Sequence, residues 1–224
     1  MIYRLKMFLK IWIYRMKGKN ISFLSNIIGK NINIGNNVSI GRNVLIFCDD
    51  ESEIILHDGV CIAEDCKFYA KNGAKIIIKN GAKIWFGTKI LAQEKYNVSG
   101  QIEIGKNVEI HYNNRFDITG KISIQDDVHT GEGCFIHTHN HICDKPGSIW
   151  IQGIMVKPVT IEKGCWIGTN AQIMPGVKIE EGTIVAAGAI VTKNFGKNLV
   201  IGGIPAKIIK NRFNFCDKVS LSKL

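Results

Sequence analysis

Residues 28–45 spell IGKNIN, IGNNVS and IGRNVL, three successive units of six residues with isoleucine at the first place of each unit. The same phase returns in six further blocks of three units, which begin at Leu56, Ile78, Ile104, Ile124, Ile161 and Ile179. Of the 21 first positions, 20 are Ile, Leu, Val or Phe, and Thr130 is the exception. Self-similarity at a fixed short period indicates a solenoid and argues against an antiparallel barrel of hairpins.

The chemistry of the six places explains how such a unit folds. The fourth place is Gly, Asn or Asp in 17 of the 21 units, and these residues tolerate a left-handed backbone. Side chains alternate along a strand, so places five and one point inward while places six and two point outward. A turn at places three and four then redirects the chain, and three strands complete one triangular coil. The sequence therefore predicts an all-β parallel β-helix of about seven coils, filled by Ile and Val.

Extra residues interrupt the repeat only after the third unit of a block. All of them should therefore leave the prism at one corner. The last of these inserts is the longest, with 19 residues, and a loop of that length in a regular solenoid is a candidate functional segment. The inserts are residues 46–55, 74–77, 96–103, 122–123 and 142–160.

Composition limits the classes of partner and compartment. The chain has 224 residues, 46% of them hydrophobic, which suits one globular domain with a real core. Its formal net charge of +10 favours anionic partners. Seven cysteines without a C-x-x-C pair favour a reducing, cytoplasmic location over a disulfide framework. No aromatic-basic binding motif points to nucleic acid.

The two ends define the domain organisation. Residues 1–20 are predicted to form an amphipathic N-terminal helix, residues 21–201 the β-helix with its protruding loop at 142–160, and residues 202–224 a tail. The apolar face of residues 1–17 suits a cap on the open end of the solenoid, which is the favoured interpretation. The alternative is a peripheral anchor at the inner membrane surface, because Lys6, Lys10 and Lys17 lie away from that face.

Linked motifs near the C-terminus carry a family resemblance. Residues 156–194 spell VKPVTIEKGCWIGTNAQIMPGVKIEEGTIVAAGAIVTKN, and IGGIPAKIIK follows at 201–210. This order of motifs resembles the hexapeptide-repeat acyltransferases, in particular the galactoside, maltose and surface-polysaccharide O-acetyltransferases. The resemblance implies a left-handed β-helix, a homotrimer, and acetyl-CoA bound in the crevice between adjacent prisms, with no metal required.

The resemblance also implies a histidine general base, and the segment FIHTHNHICD at 135–144 supplies the candidates. In the family the base ends a third unit before a loop, and Trp-Ile-Gly follows about two dozen residues later. His141 satisfies both conditions, since Trp166 follows it by 25 positions. A neutral imidazole can accept a proton near pH 7. We therefore predict His141 as the base and His139 as an orienting or acceptor-side neighbour.

Residues for the acceptor and for the acyl donor follow from the same comparison. The acceptor-binding Asn and Asp of the sugar acetyltransferases fall here on His111 and Thr119, a departure that leaves a different glycan open. Asn113 and Asp117 are further candidates, and coil stacking predicts that Asp117 lies over His137. The cofactor positions implied by the matching motifs are Trp166, Gly168, Thr169, Ala187, Thr192, Lys193, Lys207 and Lys210.

The leading hypothesis is thus an acetyl-CoA-dependent O-acetyltransferase that modifies a sugar hydroxyl, in surface-polysaccharide assembly, by direct transfer. An N-acetyltransferase acting on an amino-sugar nucleotide is the nearest alternative. A zinc-dependent β-helix hydratase is a third reading, in which His137, His139, His141 and Cys143 would share a metal. A non-catalytic scaffold is the fourth.

Overall fold

The protein is a left-handed parallel β-helix, as the repeat and the family resemblance predict. The computed structural model describes residues 11–15, 19–92, 94–96 and 98–213. Most of the N-terminal helix predicted at 1–20 and the end of the tail lie outside these residues. Residues 11–15 are helical, and the Ile11 side chain is fully buried as part of the hydrophobic core.

The chain folds into short strands, numbered here in order. They are β1 Asn20–Ile21, β2 Asn26–Ile28, β3 Ile32–Ile34, β4 Ser39–Ile40, β5 Leu45–Cys48, β6 Glu53–Leu56, β7 Cys61–Ile62, β8 Lys67–Ala70, β9 Lys75–Ile78, β10 Lys83–Ile84, β11 Lys89–Leu91, β12 Gln101–Ile104, β13 Glu109–Ile110, β14 Arg115–Asp117, β15 Lys121–Ile124, β16 His129–Thr130, β17 Phe135–Ile136, β18 His139–His141, β19 Ile154–Val156, β20 Val159–Ile161, β21 Trp166–Ile167, β22 Gln172–Ile173, β23 Lys178–Ile179, β24 Ile184–Val185, β25 Ile190–Val191, β26 Leu199–Gly203 and β27 Ala206–Asn211. Two 3-10 turns lie at Glu94–Tyr96 and Ile149–Ile151.

Three sheets form the sides of the prism. Sheet A contains β1, β4, β7, β10, β13, β16, β21, β24 and β26 in parallel order, and β27 adds antiparallel to β26. Sheet B contains β2, β5, β8, β11, β14, β17, β22 and β25, and sheet C contains β3, β6, β9, β12, β15, β20 and β23. We call their outward surfaces face A, face B and face C. No helix in the described ranges is long and apolar enough to cross a membrane.

The prism has about eight turns, one more than the predicted seven blocks. The additional turn is the first: β1 and β2 come before the regular repeat, and β3 lies within its first two units. Its buried residues Ile21, Ile27 and Ile32 are spaced by six and then by five positions. The repeat is therefore broken in this turn, which is why the six-residue period did not reveal it.

Within the regular turns the places of the unit behave as predicted. Val38 and Ile40, at places five and one, are buried with 0% and 2% exposure. Asn37 and Asn43, at place four, have φ of 54° and 57°, and Gly59 at the same place has φ of 71°. The left-handed turns explain the preference for Asn and Gly, because other side chains clash in that conformation.

Three of the inserts, 46–55, 96–103 and 142–160, contain the connections at the corner between sheets B and C, as expected, whereas 74–77 and 122–123 lie mainly within strands β9 and β15 of sheet C. The chain passes from β5 to β6, from β8 to β9, from β11 to β12 and from β14 to β15 at this corner. The longest excursion spans residues 137–158, between β17 and β20, and contains the antiparallel pair β18–β19. We call this segment the corner excursion.

Candidate functional site

The corner excursion carries the predicted histidines. His139 and His141 lie on β18, where they pair with Val156 and Ile154 of β19. Both side chains are half-buried, whereas Asn140 between them is exposed. Strand alternation therefore turns the two imidazoles to one side of the hairpin. The ring centroids are 6.2 Å apart.

A buried carboxylate holds His139. The Nδ1 atom of His139 lies 2.6 Å from Oδ2 of Asp117, whose side chain is 4% exposed. The other carboxylate oxygen, Oδ1, accepts hydrogen bonds from the backbone N–H and the hydroxyl of Thr119, at 3.0 and 2.6 Å. Thr138 donates its hydroxyl to the Asp117 carbonyl, at 2.6 Å. The His139–Asp117 contact is short but is not aligned as a hydrogen bond.

This arrangement bears on two of the predicted acceptor residues. Asp117 was predicted to lie over His137, and β14 and β17 are in the register that this requires. Its carboxylate nevertheless contacts His139, because the chain leaves the prism after β17 and returns past Asp117 as β18. Thr119 is 2% exposed, and its backbone N–H and hydroxyl both donate to the Asp117 carboxylate.

His141 lies in an aromatic environment that the sequence did not reveal. Its Nε2 atom is 3.5 Å from the Tyr96 hydroxyl, and its ring centroid is 5.0 Å from that of Trp150. The ammonium of Lys95 lies 4.9 Å from the Trp150 ring. Tyr96 and Trp150 belong to two inserts of the same corner, which was the available signal for their proximity. The two inserts thus enclose the predicted base.

His137 differs from its neighbours because it packs against the prism. Its ring lies 3.6 Å from that of Phe135, centroid to centroid, and within the described chain its Nε2 atom is buried without a hydrogen-bond partner. Burial lowers the pKa of His137, and the nearby charge of Asp117 opposes this shift only in part. His137 therefore favours the neutral form in the folded protein.

This lowered pKa predicts a pH-dependent contribution to stability. The unfolded chain takes up a proton at the ordinary histidine pKa of about 6.5, before the folded chain does, so His137 costs stability as pH falls through that value. We expect urea unfolding of the wild type to lose more free energy between about pH 7.5 and pH 5.5 than unfolding of His137→Asn. His57→Asn, at an exposed turn, is the control and should follow the wild type. Parallel pH curves for the wild type and His137→Asn would contradict this assignment.

His111 and Asn113 are not brought to the histidines of β18. They lie between β13 and β14, at the corner of sheets A and B. The His111 backbone N–H donates to the Thr130 hydroxyl at 3.2 Å, and Asn113 is an exposed turn residue with φ of 57°. Within one chain, these two side chains therefore belong to a different corner from His141.

The predicted donor residues begin on face A. Trp166 opens β21, is 42% exposed and stacks in register between His129 and Ile184. Gly168 was predicted to face outward and leave room for a thin ligand, but it is buried. A Cβ at Gly168 would lie 2.6 Å from the Ala187 nitrogen, and its N–H donates to the Val185 carbonyl at 2.8 Å. Close stacking of coils therefore accounts for this glycine.

The remaining donor candidates spread over the last turns. Thr169 and Ala187 are exposed at the corner of sheets A and B, one coil apart. Thr192 and Lys193 follow β25 and are exposed at the corner of sheets B and C. Lys207 and Lys210 lie on β27, which extends sheet A.

A single chain therefore keeps His141 apart from Trp166, although the donor candidates Thr192 and Lys193 lie at the same corner as His141. His141 lies at the corner of sheets B and C, which is the one corner that face A does not share. Trp166 lies on face A. As to metals, no three His, Cys, Asp or Glu side chains among residues 11–15, 19–92, 94–96 and 98–213 are grouped to hold an ion.

Comparison with known proteins finds one matching family model and several similar sequences. Residues 158–193 match the family model described as bacterial transferase hexapeptide, six repeats. Galactoside O-acetyltransferase of Escherichia coli strain K12 is 29% identical over 119 residues, which are 51% of this chain and 56% of that protein. A putative acetyltransferase of Schizosaccharomyces pombe is 34% identical over 110 residues, 49% of this chain and 52% of that protein. The chain thus spans about half the length of these two curated relatives.

Shorter and more distant similarities agree with this picture. A tetrahydropyridine-dicarboxylate N-acetyltransferase of Staphylococcus aureus is 53% identical over 53 residues, 24% of this chain and 22% of that protein. Among solved structures, a hexapeptide-repeat acetyltransferase of Vibrio cholerae, complexed with acetyl coenzyme A, has a TM-score of 0.50 at 24% identity, covering 59% of this chain and 68% of that one. A Bacillus cereus protein described as a putative acetyltransferase has a TM-score of 0.50 at 20% identity, covering 84% of both chains. These structures share the fold.

Proposed function

We propose that the chain is a hexapeptide-repeat transferase and, within that family, an acetyl-CoA-dependent O-acetyltransferase acting on a sugar hydroxyl in surface-polysaccharide assembly. The observation that carries the proposal is the group of His141, His139 and Asp117, set at one corner of a repeat whose last coils match the family model. The names of the relatives, one an O-acetyltransferase of a galactoside and one bound to acetyl coenzyme A, support the reaction class.

The proposed reaction needs one base and one oxyanion donor. His141 removes the proton of the acceptor hydroxyl while the oxygen attacks the carbonyl carbon of the acetyl thioester. The tetrahedral intermediate collapses with cleavage of the carbon–sulfur bond, and the departing CoA thiolate takes the proton from His141. A backbone N–H near the exposed Thr169, aimed at the oxyanion of the intermediate, would lower the activation free energy by about 2.7–4 kcal/mol. Lys193, Lys207 and Lys210 would serve the phosphates of CoA as point charges.

The proposal includes a homotrimer. Because His141 and Trp166 lie on parts of the prism that share no corner, one copy supplies the base and the partner subunit supplies face A with the acyl donor. Cyclic assembly repeats this heterologous contact and closes it, so each trimer would hold three equivalent sites. Both substrates are then held in line at the seam, which removes much of the entropic barrier to their encounter.

An N-acetyltransferase is the second candidate, because the S. aureus N-acetyltransferase matches at 53% identity over 53 residues. A CoA-release assay with matched acceptors separates the two activities. We expect the protein to release CoA with hydroxyl-bearing glycans, and mass spectrometry to find an alkali-labile ester on the product. An alkali-stable amide formed only on amino sugars would favour N-acetylation. Absence of both release and acetyl-CoA binding in calorimetry would reject the acetyltransferase.

A further inference from the structure

Face B carries three cations stacked in register. Lys67, Lys89 and Arg115 occupy the same place on β8, β11 and β14, and all three side chains are exposed. Neighbouring strands lie about 4.8 Å apart, so the three charges form a row parallel to the prism axis. We call these residues the basic ladder. Like charges directly opposite each other on neighbouring strands destabilise a sheet.

Register-paired lysines on the other two faces meet carboxylates, and the cations of the basic ladder do not. On face C, Lys75 lies 3.4 Å from Glu53, its register partner on the neighbouring strand. On face A, Lys83 lies 3.7 Å from Glu109 in the same way. No carboxylate of the described residues lies within 4.0 Å of the ladder cations. The ladder is therefore a repulsive row that a bound anion would relieve.

One end of the basic ladder lies next to residues of the proposed transfer site. Arg115 opens the strand that ends at Asp117, the residue that holds His139. The Arg115 guanidinium stacks 5.0 Å from the ring of Phe135, which is the next residue of the same column. At the corner of sheets B and C, the Lys95 ammonium lies over the Trp150 ring. The same ring lies next to that of His141.

Aromatic rings accompany the cations along face B. Phe47 and Tyr69, on β5 and β8, stack with their centroids 4.7 Å apart, and the Lys71 ammonium lies over both rings. Rings with one accessible face offer apolar contact area at low conformational cost. Face B thus combines a row of positive charge with aromatic surface, and both extend along the axis rather than around a pocket.

We propose that face B binds an acidic polysaccharide chain and guides one of its hydroxyls to His141, so that the acceptor class of the enzyme is an anionic glycan. This inference rests on the proposed function, because the transfer site gives the row its direction. A polymer with a repeated carboxylate or phosphate matches a row of evenly spaced cations. Nucleic acid is the competing polyanion, and the test below includes it.

The test compares two triple variants with equal loss of charge. Lys67→Gln/Lys89→Gln/Arg115→Gln removes the ladder, and Lys106→Gln/Lys121→Gln/Lys163→Gln removes three exposed lysines elsewhere. Calorimetry at low ionic strength, where exposed charges are not screened, would use an oligogalacturonate, an oligosialate, the carboxyl-reduced neutral oligosaccharide and a single-stranded oligonucleotide. We expect at least one acidic oligosaccharide to bind the wild type. Its affinity for the ladder variant should be lower by about tenfold or more. The control variant should stay within about twofold of the wild type.

Three outcomes would overturn the inference. They are equal loss of affinity in both variants, binding of the neutral oligosaccharide as tight as that of the acidic ones, or preference for the oligonucleotide over both acidic glycans. The inference would also be overturned if neither acidic oligosaccharide binds the wild type. Acetyl-CoA binding, measured on the same samples, separates this failure from failure of the proposed function, because neither triple variant alters the donor residues.

Discussion

His141→Ala is expected to lower kcat for acetyl transfer by about 10²–10⁴-fold, the range that a positioned general base supplies. The ring lies at the end of β18 and contacts the Tyr96 hydroxyl and the Trp150 ring, so its removal takes away the proton acceptor without touching the prism. Because the side chain is only half-buried, we expect the thermal midpoint to change little. Initial rates of CoA release, with the dissociation constant for acetyl-CoA measured separately, check the prediction.

Two matched variants make this result specific. His57→Ala removes an exposed histidine from a turn and should leave the rate unchanged. His139→Ala should also slow the reaction, since His139 is the ring that Asp117 holds. If His141→Ala keeps its rate within about threefold of the wild type while His139→Ala does not, the base is His139 and our assignment is wrong.

Asp117→Asn is expected to reduce kcat by about 10²-fold or more, with little change in KM for acetyl-CoA. Asp117 is a positioning residue: its Oδ2 atom lies 2.6 Å from Nδ1 of His139, and its Oδ1 atom accepts two hydrogen bonds from Thr119. An amide of the same shape removes the negative charge that holds His139, and the ring, whose centroid lies 6.2 Å from that of the proposed base His141, is then free to reorient beside it. The pH profile of kcat should shift, whereas a merely structural role would alter stability alone.

The Thr119 hydroxyl offers a graded control for this prediction. Thr119→Ser keeps the hydroxyl that donates to Asp117 and should retain most of the activity. Thr119→Val is nearly isosteric but loses the donor, and it should resemble a weaker form of Asp117→Asn. Equal activity of the Ser and Val variants, or an Asp117→Asn enzyme with an unaltered pH profile, would contradict the positioning role.

The fold could be predicted because one rule repeats along the chain. Asn37, Asn43 and Gly59 mark left-handed turns, and Val38 and Ile40 mark the buried places. The corner at which the long inserts lie could be predicted from their position after the third unit of a block. The first turn could not be predicted because the spacing of its buried residues Ile21, Ile27 and Ile32 does not follow the six-residue period.

The site could be predicted less well because it lies where the repeat is interrupted. The stacking rule correctly gives the register of β14 and β17 and hence Asp117 over His137, but it does not predict the contact of the carboxylate with His139. The contact with His139 depends on the antiparallel pair β18–β19, which lies outside the prism and has no six-residue phase. Gly168 was expected to face outward, but it is buried against the next coil, which by itself accounts for a glycine at this place.

Mixing of two inactive variants tests most directly whether the reaction occurs at a seam between copies. His141→Ala and Trp166→Ala should each be nearly inactive alone. When the two chains are unfolded, mixed in equal amounts and refolded, a wild-type His141 and the partner subunit's wild-type Trp166 meet at random in about a quarter of the sites. We predict recovery of about a quarter of wild-type activity per site. Mixed trimers that stay as inactive as either parent would contradict the account.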